Sequence, residues 1–335
     1  MAENRILAGS KSTGLNQELL RGVVGGEFRA VARLITLVEN DPAAAIAYLR
    51  ELFPHTGRCF AIGVTGAPGA GKSTLVDALA SSFRSQGGKV GIVAVDPTSP
   101  FSGGAILGDR IRMQSRTTDS GTFIRSMATR GHRGGLSRAT ADVIQVLDAA
   151  GFDVAIIETV GVGQDEVEIV RTAHATIVLL VPGMGDDIQT MKAGIMEIGD
   201  VFVINKSDRP GAERIEAELD ALLSMSNRPD NWTPLVVRTV ASEGLGVPEC
   251  MNAIRAYRGF LESSCFQANR VLQIQKERLL ELVKSRVMGD LASAPEFGTR
   301  LEDLARLVAE RKLDPFSAAD LLTERSCRIP PSREG

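Results

Sequence analysis

The stretch Gly66-Ala67-Pro68-Gly69-Ala70-Gly71-Lys72-Ser73-Thr74 constrains this chain more than any other part of it. Two glycines separated by four residues and followed by Lys-Ser form a phosphate-binding loop pattern. Such a loop must join a strand to a helix, and the neighbouring residues fit. Cys59-Phe60-Ala61-Ile62-Gly63-Val64 reads as a buried parallel strand, and Leu75-Val76-Asp77-Ala78-Leu79-Ala80 places apolar residues at helical spacing. Glycines let successive backbone N–H groups turn inward, and the helix N-terminus adds partial positive charge, so the segment is suited to cradle a polyphosphate. Lys72 can reach β- and γ-phosphates, and the Ser73 hydroxyl can coordinate Mg²⁺.

A second segment reads the base. Val201-Phe202-Val203-Ile204 is another buried-strand run, and it delivers Asn205-Lys206-Ser207-Asp208 at its C-terminal end. The Asp208 carboxylate can accept two hydrogen bonds from guanine, one from the ring N1–H and one from the exocyclic amine. Adenine lacks that donor pair and would leave a buried carboxylate unpaired, at a cost of about 1–3 kcal/mol or more. GTP is therefore expected over ATP.

Alternation of strand-like and helical runs sets the fold class. Strand-like runs lie at 59–65, 90–95, 122–127, 153–158, 176–181, 200–205 and 234–238, and helical patterns at 72–86, 136–150, 190–198, 211–226 and 247–262. This is the pattern of an α/β P-loop NTPase, a mostly parallel sheet with helices on both faces and ligands at the C-terminal strand ends. Residues 1–56 read as an N-terminal helical extension, broken at Gly25-Gly26 and Asp41-Pro42, and residues 57–263 as the GTPase domain. Residues 264–335 form a C-terminal helical region with a polar tail. There Leu272, Leu279, Leu282, Val283, Val287 and Leu291 share one face, Pro295 and Gly298 punctuate, and Leu301, Leu304, Leu307 and Val308 continue in a second helix. That stripe must fold back on the core or pair with another copy of the chain.

Composition narrows the partners. A net charge of −3 over 335 residues gives no reason to expect nucleic acid or an anionic membrane. Aromatic residues, at 4%, are too few for a base-stacking platform. Cys59, Cys250, Cys265 and Cys327 are scattered without a Cys-x-x-Cys pair, which argues against a zinc site or a disulfide framework. His55, His132 and His174 are equally dispersed and read as surface or internally satisfied residues. No segment reaches the ~18 apolar residues of a membrane span, and a cytoplasmic location is expected.

Three further loops carry candidate chemistry. Asp96 ends a strand and opens the run Asp96-Pro97-Thr98-Ser99, which leads on to Gly108-Asp109; Asp96, and Asp109 on loop closure, are candidate Mg²⁺ ligands. The strand 153–157 ends in Glu158-Thr159-Val160-Gly161-Val162-Gly163-Gln164. The Gly161 N–H is placed to contact a γ-phosphate, and Glu158 to position or deprotonate the attacking water, with Gln164 as the alternative. In Pro182–Lys192, Lys192 can stabilise transition-state charge or pair with Asp186 or Asp187.

Taken together, these blocks resemble the G-protein chaperones of adenosylcobalamin-dependent acyl-CoA mutases, the methylmalonyl-CoA mutase-associated GTPases of the MeaB/ArgK-like family. The resemblance runs from about Arg29 to Arg258 and rests on Gly66–Thr74, Val95–Met113, Met127–Leu136, Glu158–Gln164, Pro182–Glu197 and Asn205–Asp208. It implies that Lys72 and Ser73 serve phosphate and Mg²⁺, Asp96 and Asp109 the metal and the first switch, and Glu158 catalysis. It also implies that Asn205, Lys206 and Asp208 hold guanine, with Val240-Ala241-Ser242 completing the base site. Gly183–Lys192 becomes an extra switch facing the mutase, and the C-terminal helices a homodimer arm. The base loop departs slightly, reading Thr239-Val240-Ala241-Ser242 where a Ser-Ala pair is usual.

The expected function is thus a slow GTPase, stimulated by its partner, whose hydrolysis gates cobalamin loading, protection and reactivation of such a mutase. Adenosylcobalamin would belong to the partner, since the chain has no Asp-x-His-x-x-Gly run. The alternatives are a small-molecule kinase or transport-associated ATPase, opposed by the guanine tetrapeptide, and a nickel-delivering GTPase, opposed by the lack of His- or Cys-rich tracts.

Overall fold

The computed structural model describes residues 15–96, 119–128, 135–159, 172–183, 198–225, 228, 230–263 and 266–323. Seven parallel strands form one sheet: β1 (Phe60–Gly66), β2 (Val90–Asp96), β3 (Thr122–Ala128), β4 (Val154–Thr159), β5 (Ala175–Leu180), β6 (Val201–Asn205) and β7 (Leu235–Thr239). Their spatial order is β3-β2-β4-β1-β5-β6-β7. All seven expected strands are present, each within a residue of its sequence-derived bounds.

The order explains where a ligand goes. β1 lies between β4 and β5, with Val64 level with Glu158 on one side and Gly66 level with Leu179 on the other. The chain winds outward from β1 first toward β3 and later toward β7. The C-terminal end of β1 is therefore a switch point, open to whatever the loops deliver.

Period-two alternation fills both faces of the sheet. Ile62, Val64, Ile92, Ile156, Ile177 and Val203 point to one side, where they pack with α4 (Lys72–Ser85) and α7 (Val247–Ser263) through Leu75, Leu79, Ile254 and Tyr257. On the other side, Ala61, Val93 and Ile157 join an N-terminal helical layer and α5 (Gly135–Ala149). Farther along that side, Val178, Phe202 and Ile204 pack on α6 (Ala212–Met225). Strands covered on both faces have no polar side to show, which is why the sequence reads as uninterrupted apolar runs.

The N-terminal layer consists of α1 (Gln17–Val24), α2 (Phe28–Asn40) and α3 (Pro42–Leu52). The Asp41-Pro42 break is a helix start: the Asp41 carboxylate accepts the Ala44 N–H at 3.0 Å, and Pro42 occupies the first helical position. Val31, Leu34 and Ile35, all fully buried, face the core. Asp148, near the C-terminal end of α5, fixes the approach to β1. Its carboxylate accepts the N–H groups of Gly57 at 2.6 Å and of Arg58 and Cys59 at 3.0 Å.

At the opposite end of the sheet from the phosphate loop, Asp200 is almost fully buried between the Thr176 N–H and Arg228, each at 2.8 Å. Burial pushes the Asp200 carboxyl up, against the pull of Arg228. His174 is among the internally satisfied residues: its Nδ1 accepts the Ala61 N–H at 2.9 Å, and its ring stacks on Phe60. Burial, with Arg270 nearby, lowers its pKa to about 4. The buried Cys59 and Cys250 thiols are driven upward, Cys250 to about 12, so neither is a reactive thiolate at neutral pH.

The chain divides into two compact units, Met1–Ile274 and Gln275–Gly335. The second contains the remainder of α8 (Phe266–Ala292) with α9 (Phe297–Ala309) and α10 (Pro315–Thr323). Gly298 lies inside the first turn of α9 and does not separate helices. α10 has no counterpart among the sequence-derived helices, although Asp314-Pro315 opens it in the way Asp41-Pro42 opens α3: the Asp314 carboxylate accepts the N–H groups of Phe316 and Ser317 at 3.0 Å. Leu291, Leu304 and Ala318 are buried, whereas Leu279, Val283 and Val287 on α8 remain 60%, 58% and 53% exposed. The helix expected at 190–198 lies outside the described residues except for Ile198.

Candidate functional site

The phosphate loop leaves β1 at Gly66 and enters α4 at Lys72. Its turn is closed by the Ala70 N–H donating to the Ala67 carbonyl at 3.1 Å. Gly71 adopts φ +93, and a Cβ there would overlap the Asn205 amide nitrogen, so the last loop position admits only glycine. Lys72 is buried and arches over the loop, donating from Nζ to the carbonyls of Gly66 at 2.7 Å and Ala67 at 3.0 Å. Pro68, Gly69 and Thr74 are exposed.

Ser73, in the first turn of α4, donates its hydroxyl to Glu158 Oε1 at 2.5 Å. β4 lies beside β1, so the carboxylate at its C-terminal end meets the first helical turn after the loop. Glu158 is only 7% exposed. A hydroxyl and a carboxylate in contact are hard oxygen donors of the kind Mg²⁺ takes, and the pair fits that ion. Asp96 closes β2, but its side chain lies outside the described residues, as do Asp109, Gly161, Gln164 and Lys192.

The turn Asn205–Asp208 is tied to the phosphate loop by side chains. Asn205, 2% exposed, donates from Nδ2 to the Ala70 carbonyl at 2.8 Å. Its Oδ1 accepts the Thr239 hydroxyl at 3.0 Å and the Ala241 N–H at 3.1 Å. Lys206 adopts a left-handed φ of 55° and donates from Nζ to the Gly69 carbonyl at 2.8 Å. Asp208 is exposed at the end of the turn. The following loop folds as a short helical turn over Ala241–Glu243, held by the Val240 N–H on the Leu245 carbonyl at 3.0 Å, with Ala241 buried and Ser242 exposed.

The structure thus brings Gly66–Thr74, Glu158, Asn205–Asp208 and Val240–Ser242 to one end of the sheet. Asn205 is turned toward protein rather than left open: it spans three loops. Sequence reading missed Thr239, whose hydroxyl completes that span. Its only sequence signal was a hydroxyl residue ending the last strand.

Fold and site together define a P-loop GTPase. Among the described residues no helix is long and apolar enough to cross a membrane. Residues 31–296 match the family described as methylmalonyl-CoA mutase-associated GTPase MeaB, and the chain belongs to that family. It is 34% identical over 319 residues to the GTPase ArgK of Escherichia coli, covering 92% of this chain and 95% of that one. It is also 34% identical over 323 residues to the mitochondrial methylmalonic aciduria type A homolog of Mus musculus, covering 91% of this chain and 78% of the relative. The crystal structure of a protein named LAO/AO transport system kinase superposes with a TM-score of 0.70 at 28% identity, over 94% of this chain and 99% of that one.

Proposed function

We propose that this GTPase is a chaperone of an adenosylcobalamin-dependent acyl-CoA mutase, gating cobalamin loading, protection and reactivation of methylmalonyl-CoA mutase or a close relative acting on 2-hydroxyisobutyryl-CoA or isobutyryl-CoA. The observation that carries this reading is the match to a mutase-associated GTPase family over residues 31–296. The mouse relative, named for methylmalonic aciduria, supports it. In this reading adenosylcobalamin stays with the mutase, and the chain acts in the cytoplasm.

The residues divide the work as follows. Lys72 leaves its loop carbonyls to neutralise charge on the β- and γ-phosphates, and the loop N–H groups wrap the polyphosphate. Ser73, with Asp96 and Asp109, would hold Mg²⁺, which would draw off charge from the phosphate oxygens. Glu158 holds the Ser73 hydroxyl and positions the attacking water, in preference to acting as a distant base; its contact with Ser73 supports this. Lys206 and Asp208 frame guanine, and the Ala241 region closes the base site. Gly161 senses the γ-phosphate, and Lys192 adds charge from the extra switch. Nucleotide-dependent loops give the differential affinity for a mutase that gating requires. The exposed Leu279, Val283 and Val287 support a homodimer through the C-terminal helices.

The test is GTP hydrolysis by the purified chain, alone and with candidate mutases, with ATP in parallel. A slow GTP-specific rate that rises with one mutase supports the proposal and names the partner. Likeness to the transport-system kinase favours a second reading, a small-molecule kinase or transport-associated ATPase. ATP turnover that no mutase alters would establish that reading instead.

A further inference from the structure

Helix α8 passes from the first compact unit into the second after Ile274, so its root, up to that residue, belongs with the GTPase unit. Apolar burial does not explain why. Among the described side chains of 268–274, Val271 and Leu272 are exposed, and only Arg270 and Ile274 are even partly covered. These two stand four residues apart, on one face of the helix. Arg270 supplies a polar contact there, its guanidinium donating to the Ala173 carbonyl at 3.1 Å. That carbonyl is a rigid anchor. The next residue, His174, donates its N–H to the Ala61 carbonyl at 2.8 Å and accepts the Ala61 N–H on Nδ1 at 2.9 Å, which fastens the entry of β5 to β1. The buried Asp200 carboxylate lies within electrostatic reach of Arg270 and favours a cation at this place. From α7, Arg258 lies over the Phe60 ring, 5.1 Å from its centroid. Two successive helices thus clasp the base of β1 and β5, each through an arginine, at the end of the sheet away from the phosphate loop.

We infer that Arg270 docks the root of α8 on the base of the sheet and so pre-orders that helix for pairing with a second copy of the chain. It is a positioning residue for self-association, and the inference rests on the homodimer reading given above. The exposed Leu279, Val283 and Val287 lie farther along the same helix. With Arg270 in place, that stripe rises from a fixed root. A root held by chain connection alone would sample many positions, and association would then bear the entropy of fixing it. Nucleotide binding does not depend on the contact, because the phosphate loop lies at the other end of β1.

Arg270→Met removes the guanidinium and keeps much of the stem, whereas Arg270→Lys keeps a charged donor. Amide hydrogen exchange over 266–274 and the dimer dissociation constant from sedimentation are measured on the full chain for the parent and both variants. One charge-assisted hydrogen bond holds the docked root by roughly tenfold, so exchange there should quicken about tenfold in Arg270→Met. The dissociation constant should rise by at least that factor, since a dimer orders two roots. Arg270→Lys recovers most of both effects, and KM for GTP keeps the parent value throughout. Exchange over 266–274 that matches the parent overturns the docking. Faster exchange spread through the sheet marks general destabilisation and overturns it as well. Faster exchange confined to the root beside an unaltered dissociation constant overturns the link to self-association. Should Arg270→Met not fold, Arg270→Gln carries the same comparison. A parent chain that stays monomeric at every concentration refutes the homodimer reading itself, while the exchange comparison still decides whether Arg270 docks the root.

Discussion

Replacing Gly71 by alanine should cripple nucleotide binding through a single methyl group. Gly71 sits at φ +93, where an L-residue pays roughly 1–2 kcal/mol. The new Cβ would also overlap Asn205 Nδ2. Asn205 cannot step aside freely, because it is 2% exposed and holds bonds of 2.8, 3.0 and 3.1 Å. Surrendering them costs about 0.5–1.5 kcal/mol each, which brings the total to about 3–6 kcal/mol. Gly69→Ala is the natural standard: its φ is +76, but no heavy atom lies within 4 Å of the added Cβ, so it pays the backbone term alone. The cost divides between stability of the free protein and affinity for nucleotide. Urea unfolding without nucleotide and calorimetric titration with GDP are therefore summed for each variant. Gly71→Ala should exceed Gly69→Ala by about 2–4 kcal/mol in that sum. Equal sums for the two variants would refute the reasoning, since the Asn205 contact would then carry no energy.

Three other outcomes test the scaffold. Asp148→Ala strips the acceptor from three N–H groups ahead of β1 and should lower stability by about 3 kcal/mol in urea unfolding. Arg228→Met leaves Asp200 buried without its cation and should cost about 3–5 kcal/mol, whereas a double variant that also replaces Asp200 with Asn should recover part of that loss. For His174, the folded pKa of about 4 lies below the ordinary value of 6.5, so the unfolded chain binds the extra proton between those limits. Stability should fall as pH drops from 6.5 toward 4, and His174→Gln should flatten that part of the profile in urea midpoints measured across the range.

The sequence by itself determined the seven strands and the place of the phosphate loop between the first of them and its helix. Strands buried on both faces leave long apolar runs, and a Gly-rich turn between such a strand and a helix has few other uses. Both signals are local and survive without coordinates. Asn-Lys-x-Asp was legible for the same reason, as a tetrapeptide fixed to a strand end. What only the tertiary structure decided were meetings between segments far apart in the chain. Glu158 reaches Ser73 because β4 happens to lie beside β1. Asn205 turns toward the phosphate loop rather than outward because Thr239 and Ala241, on a different strand and loop, claim its oxygen. Asp148 ties down the entry to β1 from the far end of α5. None of these pairings leaves a periodicity or a motif in the sequence, because hydrogen bonds across a sheet depend on strand order, and strand order is settled by packing the whole core.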